Sequence, residues 1–525
     1  MSSSNKSFSS VPPLFPKVTP LNVQKTTVSA DGLPKAVLGL YSRECSPELL
    51  ARLVGSNCFV ERPLAPEIIE AADQGHNLLY ITAPDLPDKE YVVDYYIRLK
   101  PRSPQEIQQI QQQIVVLALD NHEPLWLSQK LAAPAAKEAR NFIADWISQR
   151  HQRGERVELH TFEPSAMTEA FAAELGLEPD QTPSTTLAIG SKSGSKQIFD
   201  ACGIDQPRGT PECRNLDDFT KEIAYLLQQE PEAKKLILKL SSTLYGAGQG
   251  NALFDVSSID RSHPETILQQ VQTTLVEENV EVIDKKLGWQ GFVAEIPKAG
   301  IIAELFVEGE YKETPSAQGS VDKDGTVRLV SVHEQRFAAN KQTYIGSFYH
   351  ADDAYRHRVG DLFKLIAAQS HTQGHVGAIS VDFLCVRHSE NEDWRILPME
   401  INNRLTGTAH AFRIVTSLLG VRPNEASPKL QVNGETRVYL ASDSIYKPEY
   451  AILRPAAVID AIRASNVHYD SDRHKGAVLY MLSGLSYGKC GAVVIGSTED
   501  ECLAMQADIY KVLDDLVSKS TSQQA

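Results

Sequence analysis

The chain has 525 residues, 42% of them hydrophobic and 23% charged, with a formal net charge of −15. This is the profile of a globular protein of roughly two to four domains, and the acidic balance argues against a nucleic-acid-binding protein. No apolar run reaches the ~18 residues of a membrane span. The seven Cys (45, 58, 202, 213, 385, 490 and 502) include no CxxC pair, which argues against a zinc site and for reduced thiols in the cytoplasm.

Residues 1–30 carry Ser, Pro and Thr without periodicity and predict a disordered leader with no apolar core of a secretory signal. From 31 to 185 short apolar runs alternate with helical stretches. Asn77–Thr82, Ile114–Leu119 and Val157–Phe162 have the composition of buried strands. The Gln-rich run 105–113 keeps Ile107, Ile110 and Ile114 at helical spacing. Pro134–Gln149 repeats Ala136, Ala139, Phe142, Ile143, Trp146 and Ile147 on one helical face. Strands alternating with helices predict a parallel, doubly wound sheet. No GxGxxG follows any of them, so no dinucleotide site is expected.

A second module spans 186–424. Gly190–Lys196 leads into a short helix ending at Gly203, and Leu216–Gln229 is an amphipathic helix. The strand Lys235–Leu240 enters a small-residue loop, Ser241–Asn251, and Ala252–Phe254 returns. Gly-rich loops offer backbone N–H groups to phosphates, and Lys239, near the end of an apolar strand, is costly to bury without an anion. Ile301–Leu305 is a strand that leaves into a loop with several acids. Thr326–His333 is another strand, and Asp353–Ser370 a long helix with Tyr355, Val359, Leu362, Phe363 and Ile366 on its buried face.

The helix feeds a hairpin, Val376–Cys385 and Trp394–Thr408, with a polar link at 388–393. A turn near residue 390 sets Asp382 opposite Glu400, and Asn402, two residues on, shares the face of Glu400. Burying two carboxylates together is costly unless a cation or a proton offsets the repulsion. Hard oxygen ligands of this kind suit magnesium, which borrows its remaining ligands from substrate phosphates and water. Residues 425–525 add strands at 438–440, 477–482 and 492–496 and a final amphipathic helix from Thr498 to about Val517. This segment is expected to cap the active site, through His468, Tyr469 or His474, or to form a dimer surface.

The order Lys192, Lys239 with its loop, Glu304, Asp382, Glu400-x-Asn402 resembles the ATP-grasp superfamily. Thr314–Gln318, Ser331–Gln335, Glu400–Phe412 and the stretch from Lys475 to Gly496 are similar to one branch, the peptide ligases related to the pheganomycin biosynthetic enzyme. The resemblance implies an α/β and α+β protein: a doubly wound pre-ATP-grasp domain (31–185), a two-lobed ATP-grasp fold (186–424) and a C-terminal extension (425–525). It implies ATP with one or two magnesium ions, manganese being a substitute, held by Asp382, Glu400 and Asn402. Lys192 (or its competitor Lys196) and Lys239 are expected on phosphates, and Gly246, Gly248 and Gly250 in a closing flap. Glu304 and Phe306 would face adenine, and Glu310 the ribose. Arg404 is expected at the transferring phosphoryl group, with Arg336 and His410 as further catalytic candidates.

The implied reaction is amide formation on a small amino-acid-like substrate through an acyl phosphate. The alternatives are a small-molecule kinase and a non-catalytic nucleotide-binding module. No nucleic acid and no membrane partner is expected, and a homodimer is compatible with the fold. Asn403, Leu405 and Arg336–Asn340 depart from the branch's pattern near the acyl and acceptor pocket, so the substrate pair is not implied.

Overall fold

The computed structural model describes residues 34–44, 50, 60–180, 183–242, 250–337, 344–423 and 428–522. The expected leader (1–30), Gly246, Gly248, Cys45 and Cys58 lie outside the described residues. The chain divides into two compact units, residues 1–181 with 406–525 and residues 182–405.

The first unit opens with a parallel sheet of β1 (Lys35–Leu40), β2 (Asn77–Thr82), β3 (Ile114–Ala118) and β4 (Arg156–Thr161), in the order β3-β2-β1-β4. One face is apolar: Ala36, Leu38, Leu79, Ile81 and Leu159 pack with Ile143, Trp146 and Ile147 of the Lys137–Gln152 helix. Phe142, expected in that stripe, is exposed instead. The 105–113 stretch is helical as expected, started by the Ser103 capping box and Pro104.

The second unit holds two sheets. β5 (Lys235–Leu240), β6 (Asn251–Asp255), β7 (Val280–Val282) and β8 (Ile301–Leu305) form an antiparallel sheet ordered β7-β6-β5-β8. The larger sheet contains β9 (Tyr311–Glu313), β10 (Pro315–Val321), β11 (Val327–Phe337), β12 (Tyr344–Tyr349), β13 (Gly377–Arg387) and β14 (Arg395–Asn402). Its order is β14-β13-β10-β11-β12, with β9 paired to β13. The Asp353–Thr372 helix packs Tyr355, Val359, Phe363 and Ile366 against Ala317, Val332, Val381 and Phe383 on one face of this sheet. The chain then returns to the first unit with β15 (Leu430–Val432), β16 (Glu435–Tyr446), β17 (Gly476–Tyr480) and β18 (Lys489–Gly496), ordered β15-β16-β18-β17. The Glu499–Ser522 helix follows.

A feature the apolar runs did not foretell lies on the other face of the parallel sheet. There Lys35 pairs with Glu158 at 2.9 Å and His160 with Glu67 at 3.0 Å. Arg413, from the Ala409–Leu419 helix, reaches Glu67 and Glu70 at 2.7 Å each, and Tyr41 donates to Glu67. Burial works against charge on His160, but Glu67 and Glu158 outweigh it and raise the imidazole to about 9. Removing one partner of such a set leaves an uncompensated buried charge. Arg413→Ala is therefore expected to destabilise the protein by about 3–5 kcal/mol in urea unfolding, whereas Arg454→Ala, whose arginine is largely exposed beside Asp88, should leave the unfolding midpoint nearly unchanged.

Candidate functional site

The hairpin forms with the register anticipated from its two apolar runs. Asp382 stands opposite Glu400 and Ser380 opposite Asn402, with a bulge just after Asp382. Asp382 Oδ1 accepts from Ser316 Oγ at 2.6 Å and Gln335 Nε2 at 2.7 Å, and Oδ2 accepts from Asn402 Nδ2 at 3.2 Å. Ser316 accepts in turn from Gln318 at 2.8 Å. Burial first, and Glu400 second, push the Asp382 carboxyl up to about 6. With its amide nitrogen turned to Asp382, Asn402 keeps its carbonyl oxygen for another partner.

Lys192 is brought here by a helix that starts earlier than expected. The Gly190–Lys196 stretch, read as a lead-in, is largely the first turn of the Lys192–Ala201 helix. Ser191 caps it by accepting from Gly194 N at 2.9 Å, and Ser195 accepts from Ile401 N at 3.0 Å, tying the helix to β14. Any Cβ at Gly194 would collide with the carbonyl of Ala188. So held, Lys192 forms an ion pair with Glu400, and its backbone N–H donates to Ser241 O at the end of β5 at 2.9 Å.

A second charged cluster sits on the smaller sheet. Lys239 meets Glu304 at 2.5 Å and Lys196 meets it at 3.4 Å. Burial opposes ionisation of Glu304, and the two ammonium groups overcome it, so the carboxyl falls below the ordinary range. Lys192 and Lys196 thus occupy different places: the first beside Asp382 and Glu400, the second beside Glu304. Phe306 is half-buried under the Lys312 ammonium at 4.4 Å, and Glu310 is exposed. Gly250 accepts from Leu240 N at 2.8 Å.

Arg404 lies close enough to favour ionisation of Asp382. Arg336 does not join this group. Strand alternation turns it to the opposite face from Gln335, over Phe348 at 5.8 Å and beside Glu313 and Glu334. His410 belongs to the first unit, where it lies 3.6 Å from Asp443 and edge-on to Tyr480. Of the three C-terminal candidates, His468 faces the Tyr95 ring at 6.0 Å, Tyr469 donates to Leu418 O, and the His474 carbonyl accepts from Arg437.

The residues missed from the sequence are Ser316, Gln318 and Gln335. Their signal was the polar alternation in Ser316-x-Gln318 and His333-x-Gln335, which places each pair on one strand face. Hard oxygen donors and two facing carboxylates suit a divalent cation with a nucleotide. Among the described residues no group of three or more His, Cys, Asp or Glu forms a metal cluster, so the cation would need Asn402 and substrate oxygens as well.

Residues 183–421 match the family model described as IQCH-like, ATP-grasp. The chain is 28% identical over 335 residues to an L-propargylglycine–L-glutamate ligase of Streptantibioticus cattleyicolor, covering 63% of this chain and 64% of that one. It is 20% identical over 373 residues to IQ motif-containing protein H of Danio rerio, covering 65% of this chain and 35% of the relative. The chain therefore spans less than two thirds of the length of either curated relative. Among solved structures, a Campylobacter jejuni biotin carboxylase–β-γ-ATP complex aligns over 92% of this chain and 96% of its own, with TM-score 0.50 and 12% identity. That likeness shows the fold.

Glu334, on the apolar face behind Gln335, receives Tyr355 OH and Thr314 N, and burial, with Glu313 adding to it, raises its carboxyl to about 7. A carboxyl raised on folding stabilises the fold below its unfolded value near 4.5 and loses that contribution as pH climbs through 7. Glu334→Gln, neutral throughout, should therefore match the parent near pH 4.5. It should exceed the parent by up to about 3 kcal/mol at pH 8 in urea unfolding.

Proposed function

We propose, from the match of residues 183–421 to the IQCH-like ATP-grasp family model, that the protein is an ATP-dependent ligase joining a small amino-acid-like carboxylate to an amine. One observation carries the proposal: Asp382 faces Glu400 on adjacent strands with Asn402 beside them and Lys192 paired to Glu400. Catalytic carboxylates of this kind are set out to hold a cation. The curated ligase joins two amino acids by its printed name, which supports the substrate class.

In this reading Asp382, Glu400 and Asn402 would hold one or two magnesium ions. Bound there, magnesium would neutralise charge on the β- and γ-phosphates. Ser316 and Gln335 keep Asp382 aimed at that position. Lys192, beside Glu400, and Lys239 would supply point charges along the triphosphate. Glu304, the backbone at Phe306 and Glu310 would face the nucleoside, and Gly250, with Gly246 and Gly248 outside the described residues, is the candidate contact for the phosphates. Arg404 steadies the transferring group through its planar fork.

A substrate carboxylate oxygen attacks the γ-phosphorus, the bond to the β–γ bridging oxygen breaks, and ADP leaves with that electron pair. The amine nitrogen then attacks the acyl carbon, the C–O bond to phosphate breaks with its electron pair going to phosphate, and the nitrogen gives up its proton to the departing phosphate or to water. Positioned charge supplies most of the rate enhancement, and no protein nucleophile is needed. Manganese, which takes the same oxygen ligands, is expected to replace magnesium. No step requires a second copy of the chain. Cytoplasmic residence belongs to this reading and is in keeping with the thiols of Cys202, Cys213, Cys385 and Cys502 among the described residues. No described helix is long and apolar enough to cross a membrane.

The test is a mass-spectrometric screen of pooled proteinogenic amino acids with ATP and magnesium. ADP release that depends on both an acid and an amine, with a condensation product, is expected. A stable phosphorylated product without amine would make the protein a kinase, and nucleotide binding without turnover a non-catalytic module. Glu400→Ala should lower ADP release by at least about 10³-fold, and an unchanged rate would contradict both enzymatic readings.

A further inference from the structure

The face of the large sheet that carries Asp382 does not turn apolar beyond it. Asn402, Ser380, Gln318 and Ser331 stand opposite one another across β14, β13, β10 and β11, and Ser347 of β12 stands opposite Gln335. Ser331 is 5% exposed, and Ser347 and Ser380 are fully covered. Yet none of their three hydroxyls has a hydrogen-bond partner among the described residues. The opposite face of the same strands is packed with Ala317, Val332, Val381 and Phe383, so these strands can present apolar residues and do not do so here. Buried hydroxyls without partners are unfavourable and uncommon. Several on one sheet face, adjoining a catalytic triad, indicate groups kept for a ligand.

We propose that this row is the subsite for the carboxamide of an acid substrate whose reacting carboxylate lies at Asp382 and Glu400. The proposal rests on the ligase reading for the place of that carboxylate. Neighbouring strands lie about 4.8 Å apart and alternate residues about 6.6 Å. Ser380 is thus a few bonds along from a carboxylate held beside Asp382, the reach of a short side chain. The row carries no charge, so a second carboxylate would be desolvated without a counter-ion. An aliphatic side chain would leave the hydroxyls unpaired. A carboxamide both donates and accepts, as a serine hydroxyl does. Sites built to bond a polar group reject the analogue that lacks it far more strongly than apolar pockets separate shapes.

The test uses the full chain with magnesium and β,γ-imido ATP, titrated calorimetrically with two matched sets: glutamine, glutamate and homoleucine; asparagine, aspartate and leucine. The carboxamide of each set should bind at least about tenfold tighter than its aliphatic and carboxylate counterparts. Ser380→Ala and, independently, Ser331→Ala remove only an unpartnered hydroxyl and should cut that preference to within about threefold. Aliphatic or carboxylate members binding as tightly, or no member binding, would overturn the proposal. ADP release separates the two claims. Turnover without a carboxamide preference sinks the subsite alone, and a binding preference without turnover sinks the ligase reading alone.

Discussion

Two carboxylates made to face each other across a strand pair dominate this molecule's second unit. Burial first, and the repulsion between Asp382 and Glu400 second, push the Asp382 carboxyl up to about 6. The surrounding residues answer that repulsion. Lys192 lies against Glu400, and Ser316, Gln335 and Asn402 donate to Asp382. Each donor to Asp382 favours its ionised form, so the arrangement keeps two facing carboxyl groups at a place where a simple core would exclude them.

That requirement explains why the large sheet is two-sided. One face is closed by the Asp353–Thr372 helix over aliphatic and aromatic side chains, which supplies the burial energy that holds the strands in register. The other face is given to polar side chains. Because side chains alternate, a slip of one residue between β13 and β14 would send Asp382 into the apolar layer. The core and the site therefore depend on the same register. The Lys192–Ala201 helix adds a second constraint. Its Ser191 cap, its contact at Gly194 and its Ser195 link to β14 place one ammonium group beside Glu400.

Much of this was legible in the residues. The apolar runs located β2, β3, β4 and β5 and the hairpin, and the polar link at 388–393 placed the turn closely enough to pair Asp382 with Glu400. What escaped was either long-range or carried by polar residues. Arg413 meets Glu67 across 346 positions of chain, and no local pattern announces such a pair. Gly190–Lys196 looked like a loop because Gly and Ser are weak helix formers, but tertiary contacts at Ser195 and Gly194 override that preference. Phe142 kept helical spacing and still faces outward, since spacing gives a stripe without its edge. Arg336, a further candidate for the acyl phosphate or the amine, lies over Phe348 on the face opposite Gln335, a placement that strand alternation sets.

The most direct measurement is a crystal structure of the protein soaked with manganese and β,γ-imido ATP, read by anomalous scattering. The account predicts a peak within about 2.2 Å of oxygens from Asp382, Glu400 and Asn402, with Lys192 moved from Glu400 to a phosphate. Nucleotide bound with no metal peak between those side chains, or with Lys192 still paired to Glu400, would contradict it.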